Sequence, residues 1–315
     1  MADKRPDYII TTEELAHALH VKEEDLRPLL DRNEIVFLPG NKKGVLFSGV
    51  RKHLISRGFS YNFKVVSVLN MRGGIGKTTT VISAAARAYQ YGLKTVILDM
   101  DPQGSASLAF NKEPVNDDLI FTDIWDKSRK EVGMALKKIE EYLYILPSSL
   151  DNGILDSQLD HPEKQKTAVK NVCSILREIG FDLVFIDCPP SLSTAVVSSI
   201  CASDVVVIPV CGDKFSIHGL DLALEEINAI TKSLHIAKPE IRILFTKFDK
   251  RIKSSFQSYK ELQKMHKKEL LPFVIQTSTD FINALNEGKT VFSSSSRTTA
   301  KTDYDKFLRS IIDLQ

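Results

Sequence analysis

Residues 65–92 constrain this chain more than any other stretch. An apolar run, Val65-Val66-Ser67-Val68-Leu69, leads into Asn70-Met71-Arg72-Gly73-Gly74-Ile75-Gly76-Lys77-Thr78-Thr79-Thr80. A helical pattern from Val81 to Gln90 follows and stops at Gly92. Strand, glycine loop and helix in that order form the setting a phosphate-binding loop requires. The glycines leave the backbone free to curl, so that successive N–H groups converge on an anion at a helix N-terminus. Gly73, Gly74, Ile75, Gly76, Lys77, Thr78 and Thr79 are therefore the candidate nucleotide ligands. Lys77 is placed to reach the outer phosphates and the Thr78 hydroxyl to ligate Mg²⁺. Met71 stands where the usual G-x-x-x-x-G-K-[ST] pattern begins with glycine, and a second cation, Arg72, precedes Lys77 by five residues.

Three further strand ends carry polar groups. The apolar run Thr95–Leu98 closes in Asp99-Met100-Asp101-Pro102-Gln103-Gly104, and Leu183–Ile186 closes in Asp187-Cys188-Pro189-Pro190-Ser191. Carboxylates at strand C-termini beside a phosphate loop lie where doubly wound sheets bind ligands. Asp187 is the candidate Mg²⁺ holder with Thr78, through a water, and the two prolines stiffen the segment after it. Ile241–Phe245 leads into Thr246-Lys247-Phe248-Asp249. In GTPases [NT]-K-x-D reads guanine, which leaves ATP and GTP in competition and makes Thr246 and Asp249 candidate nucleotide ligands.

With these motifs in hand, the loop resembles the deviant Walker A motif of the ParA/MinD ATPases, normally Lys-Gly-Gly-x-Gly-Lys-Thr, with Arg72 in place of the signature lysine. The resemblance covers about residues 64–315. It implies a doubly wound, mainly parallel α/β P-loop fold, ATP and Mg²⁺ as cofactors, and a homodimer formed on ATP. Residue by residue, it implies that Asp101 orients the attacking water, that Lys77 is catalytic, and that Arg72 crosses to the other subunit's phosphates. In that family Thr246–Asp249 corresponds to a Thr-Met-Tyr-Asp-like segment without base selectivity, which favours ATP. The family's Ile-Pro-Arg-Asn turn is not matched after Phe273–Ser278.

The first sixty residues read as a separate module, 1–61, ahead of the ATPase domain, 62–315. A helix capped by Thr11 or Thr12 runs to Leu19, and a second spans Glu23–Asp31 with Pro28 inside it. A hairpin follows, turning at Pro39–Gly44 with Lys42 and Lys43 at its tip, and then a helix from Gly49 to Arg57 capped by Ser48. The module resembles the MerR-type winged helix-turn-helix found ahead of some plasmid-type ParA ATPases. Lys42, Lys43, Arg51 and Lys52 are its candidate DNA contacts, while Glu23, Glu24, Asp25 and Asp31 repel phosphates, so dimerisation or docking is the competing use. Phe59–Asn62 reads as a short linker.

Charge adds a partner. The chain is only +2 overall, but Arg242–Lys268 holds nine cations against two acids. Lys250, Arg251, Lys253, Lys264, Lys267 and Lys268 are the candidate contacts for nonspecific DNA, with Lys260, Lys264, Lys267 and Lys268 at helical spacing. A solvated helix face is the competing explanation. The terminal stretch Asp303–Leu314 places Tyr304, Phe307, Leu308, Ile311 and Ile312 at helical spacing without a basic face, so it is expected to dock on the core and not on a membrane. No run of about eighteen apolar residues exists to span one. The N-terminus lacks a leader's apolar region, and four scattered cysteines fit a reducing cytoplasm. The resemblance implies a nucleoid-associated ATPase for plasmid or chromosome partition, stimulated by a centromere-binding, ParB-like partner. A nucleotide-controlled (auto)repressor and a MinD-like positioning ATPase are the alternatives.

Overall fold

The computed structural model describes residues 6–314; residues 1–5, part of the N-terminal stretch read for a leader, lie outside it. Three short strands come first: β1 (Ile10–Thr11), β2 (Ile35–Leu38) and β3 (Lys42–Val45). Eight more follow, β4 (Lys64–Val68), β5 (Thr95–Asp99), β6 (Lys137–Glu140), β7 (Leu143–Leu146), β8 (Leu183–Asp187), β9 (Val205–Val210), β10 (Glu240–Phe248) and β11 (Leu270–Gln276). These eight form one sheet in the order β11-β10-β9-β4-β8-β5-β7-β6, parallel throughout except for the β6–β7 hairpin at its edge. Helices cover both faces, so β4, β5, β8 and β9 are buried on both sides and are rich in Val, Ile and Leu. Chain order reverses around β4: β8 and β5 lie on one side, β9 and β10 on the other. A ligand cleft opens at such a switch point.

Two helices on one face set the position of the phosphate loop. Helix Lys77–Gln90 carries Ala84, Ala85, Ala86 and Ala88, small enough to bring it close to the sheet and to helix Thr299–Ile311. The latter packs its stripe of Tyr304, Phe307, Leu308 and Ile311 inward, each fully buried, as the spacing predicts. Burial of Phe307 and Leu308 is worth about 2 kcal/mol each. Thr80 and Tyr304 hydroxyls meet at 3.1 Å, and the buried Arg87 guanidinium is held by Asp305, Gln90 and Tyr91. No helix among the described residues is long and apolar enough to cross a membrane.

The N-terminal residues depart from expectation in detail. Thr11 caps helix Thr12–Ala18 in a reciprocal box with Glu14. The second helix spans only Glu23–Leu26 and tightens to a 3₁₀ turn at Arg27–Leu29, where Pro28 removes a donor. The hairpin turn is only Pro39–Asn41, so Lys42 and Lys43 lie in β3 and not at a tip, and Lys42 Nζ donates to the Ser295 carbonyl. The third helix starts at Phe47 instead of Gly49, and Ser48 caps nothing. Phe47 decides this start, because its ring stacks on Tyr142 at 4.4 Å and on Tyr89 at 5.2 Å.

These residues are welded to the rest. Tyr8, Ile10, Leu15 and Leu54 share one hydrophobic core with Val66, Tyr89 and Phe307. Arg51 grips Asp182 with both terminal nitrogens, at 2.6 and 3.2 Å, and donates to the Gly92 carbonyl at 2.7 Å. Its guanidinium lies 3.9 Å from the Tyr61 ring, whose hydroxyl donates to the Tyr91 carbonyl. The stretch Phe59–Asn62 is thus packed in place and is no free linker. Gly92 sits at φ +75°, and a Cβ there would lie 2.8 Å from the Arg51 backbone. Strain and overpacking together predict that Gly92→Ala costs about 3 kcal/mol, lowering the melting temperature by about 6 °C or more. The control is Gly133→Ala in helix Arg129–Ala135, where nothing lies within 4 Å. Equal melting of the two variants would show that Arg51 is not seated on Gly92.

Candidate active site

The glycine loop joins β4 to helix Lys77–Gln90 as expected. Gly74 and Gly76 adopt φ +72° and +92°, left-handed conformations open to glycine at no steric cost. Nothing stands within 4 Å of a Cβ placed on Gly73, Gly74 or Gly76, so the loop is a cradle facing open space. Its far side is braced: the Thr246 hydroxyl donates to the Ile75 carbonyl at 2.8 Å, and the Thr80 hydroxyl to the Gly76 carbonyl at 2.7 Å. Thr246 therefore serves the loop from behind. Lys77 is nearly buried, and its Nζ donates to the Arg72 carbonyl at 2.9 Å. Burial lowers its pKa, while the charges of Asp187 and Asp101 oppose that fall.

A cavity of about 350 Å³ opens in front of the loop. Gly73, Gly74, Gly76, Lys77, Thr78 and Thr79 line it, with Asp101 and Pro190 from the strand ends beyond. Asp101 accepts a hydrogen bond from the Gln103 backbone at 3.0 Å, which fixes its orientation at the rim. Asp99 and Asp187 are paired neighbours on β5 and β8 and are fully buried behind the cavity. Asp99 is pinned through Oδ2 by the Ser107 N–H and hydroxyl, at 2.8 and 2.7 Å. Burial lifts its pKa to about 6. Burial, and then the facing Asp99, raises Asp187 well above the carboxylate range, against the pull of Thr78 and Lys77. Both Asp187 oxygens and Asp99 Oδ1 are buried with no hydrogen-bond partner among the described residues. Buried carboxylate oxygens left without donors, beside a threonine hydroxyl, suit a hard divalent cation.

The structure does not bring every candidate to the cleft. Asp249 turns away: its carboxylate takes Arg251 Nε at 2.9 Å, Nη2 at 2.7 Å and the Arg251 backbone N–H, and these hold its pKa down at about 2. Lys247 lines the cavity in its stead, at φ +52°, uncommon for a residue with a side chain, together with Ser105 and Leu285. None of these three was among the candidates, though the second position of Thr-Lys-Phe-Asp is a signal that points to Lys247. Arg72 bends back onto Asp213 of its own chain. Lys250, Arg251, Lys253, Lys264, Lys267 and Lys268 are all exposed. Helix Lys253–Met265 stops short, however, so Lys267 and Lys268 sit in the turn after it and share no helix face with Lys260 and Lys264. In the N-terminal region Arg51 is spent on Asp182, and Lys52 pairs with Asp31 at 2.6 Å.

A family model described as an AAA domain matches residues 63–243, from the entry into β4 to the middle of β10. The chain belongs to this AAA family. Its relatives place this AAA protein with the ParA/MinD ATPases. It is 25% identical over 252 residues to the chromosome-partitioning ATPase Soj of Treponema pallidum, across 79% of this chain and 97% of the relative. The fold matches the ATP complex of a single-residue variant of McdA from Cyanothece with a TM-score of 0.71, at 18% identity, over 81% of this chain and 98% of that one. It also matches the septum site-determining protein MinD of Pyrococcus horikoshii, solved with Mg-ADP, with a TM-score of 0.60 at 16% identity, over 79% and 96%. The AAA match begins at residue 63, so the N-terminal strands and helices precede it.

Proposed function

We propose that this chain is a ParA-like partition ATPase that dimerises on ATP, coats DNA without sequence preference and is released when a centromere-binding, ParB-like partner stimulates hydrolysis. The observation that carries the reading is the phosphate loop itself. Lys77 lines the cradle where it can serve the phosphates of its own chain, so the second cation, Arg72, which rests on Asp213, is left for release to a second subunit's nucleotide. An arginine acting in trans has the charge and the planar fork for that role.

In this reading Gly73–Thr79 cradle the phosphates through backbone N–H groups, and Lys77 leaves the Arg72 carbonyl for the outer phosphates. Thr78 and Asp187 hold Mg²⁺, which when bound neutralises phosphate charge. Asp101, at the rim, orients the attacking water, and Pro189-Pro190 makes the following segment move as a unit with the γ-phosphate. The base is adenine, because the Asp249 carboxylate that a guanine would need is engaged by Arg251. Thr246 contributes indirectly, by bracing the loop. In the same reading the exposed lysines from Lys250 to Lys268 supply the DNA contacts, joined by Arg251 when it leaves Asp249, and the dimer works on the nucleoid in the cytoplasm. The operator-reading use of the N-terminal module loses support, since Arg51, Lys52 and Lys42 all have partners within the chain. Membrane positioning loses support too, because the C-terminal helix buries its apolar stripe.

Binding to a random-sequence duplex, measured with and without ATP over a salt series, tests this. About five phosphate contacts predict a slope of log K on log[salt] near −4 to −5. The binding should require ATP and vanish in Lys77→Ala. Equal binding without nucleotide, or a slope near zero, would sink it.

A further inference from the structure

Arg72 is not waiting free. Its guanidinium forms an ion pair with Asp213, three residues past β9, and lies 5.7 Å from the centre of the Phe215 ring. Asp213 is itself fixed: as N-cap of helix Lys214–Ser233, its Oδ1 accepts from the Ser216 N–H at 3.0 Å, while Oδ2 accepts from Cys211 Sγ at 2.9 Å. That helix abuts the phosphate loop, since a Cβ on Gly219 would lie 2.8 Å from Asn70 Oδ1. Asn70 Oδ1 in turn takes the Arg72 N–H at 3.1 Å. Phe215 is a large aromatic left 77% exposed, with the planar cation at its face. Lysine in this position would keep a charge for Asp213 but lose the broad, weakly hydrated guanidinium that lies over the Phe215 ring.

We infer that Asp213 is a positioning residue, which with Phe215 holds Arg72 on its own subunit until a second nucleotide-loaded subunit displaces it. The inference rests on the reading that Arg72 acts in trans. Arg72 and Asp213 side chains are each more than a third exposed, so their pair is weak and readily broken. That is what a releasable contact requires. Two competitors act on the same loop: phosphates draw Lys77 off the Arg72 carbonyl, and the partner's phosphates draw Arg72 off Asp213.

The test is Asp213→Asn in the full chain. Asparagine caps a helix as well as aspartate and matches its size, but lacks the charge. We expect ATP binding to the monomer and the melting temperature to stay near those of the parent. ATP-dependent dimerisation, followed by sedimentation, should tighten about three- to fivefold, with unstimulated hydrolysis rising in step. Asp213→Ala, which loses the cap as well, should lower the melting temperature yet tighten dimerisation similarly. Dimerisation unchanged or weakened in Asp213→Asn overturns the inference. Arg72→Ala run alongside separates the two layers. If it binds ATP but fails to dimerise, the trans reading stands whatever Asp213→Asn shows; if it dimerises and turns over normally, that reading falls and the holding role of Asp213 with it.

Discussion

Asp101→Ala is expected to bind ATP within about threefold of the parent and to lose about 10²- to 10⁴-fold in stimulated turnover. The separation follows from where the side chain sits. The cradle itself is braced from behind by Thr246 and Thr80, while Asp101 is on the rim of the cavity, oriented by the Gln103 N–H. Its removal takes away the group placed to hold water in line, and in phosphoryl transfer positioning and charge supply nearly all of the acceleration. Single-turnover hydrolysis beside equilibrium nucleotide binding distinguishes the two quantities. Normal turnover in this variant would remove Asp101 from the mechanism.

Asp187→Asn should do two opposite things. Hydrolysis dependent on Mg²⁺ should fall by at least about 10²-fold, because the buried carboxylate proposed to hold the ion is gone. The nucleotide-free protein should meanwhile melt higher, by about 4 °C or more, since the change removes a carboxylate buried against Asp99. The sign of the pH dependence follows from the same pair. A carboxyl whose folded pKa lies above its unfolded value binds its proton more tightly when folded, so its stabilising contribution is complete below the unfolded pKa and is lost as pH rises through the folded one. For Asp99 that window runs from 3.8 to about 6, and Asp187 extends it upward. Without Mg²⁺ the parent should therefore lose stability as pH climbs through this range, and Asp187→Asn should show a shallower decline. Melting curves across pH in chelator test both. A variant that melts lower than the parent at neutral pH would mean that Asp187 is satisfied without a cation.

Much of this site was legible in the sequence because its parts are contiguous. The cradle, Asp101 and Asp187 each sit at the end of an apolar run long enough to be a buried strand, and a parallel sheet gathers such ends at one edge. The C-terminal helix was legible for a similar reason, its stripe repeating every three to four residues. What escaped depends on contacts between distant residues. Helix Phe47–Ser56 begins two residues early because of Tyr89 and Tyr142, and Arg72 meets a carboxylate 141 positions away. Asp249 is the exception: its partner is two residues on, and the competition between Arg251 and a base for one carboxylate is a matter of geometry that the motif conceals.

The shared core also constrains how the chain is made. Within this chain the N-terminal strands and helices are made before the surfaces they pack on, and part of that surface lies in helix Thr299–Ile311. Phe47 finds Tyr89 and Tyr142, Tyr8 packs by Phe110, Glu14 pairs with Lys301, and His20 meets Arg309. The contacts with Lys301 and Arg309 require loop closure over nearly the whole chain, which is slow and leaves apolar surface open meanwhile. The opening fifty residues thus act as the keystone of synthesis: made earliest, set last, and fitted only once the final helix has arrived.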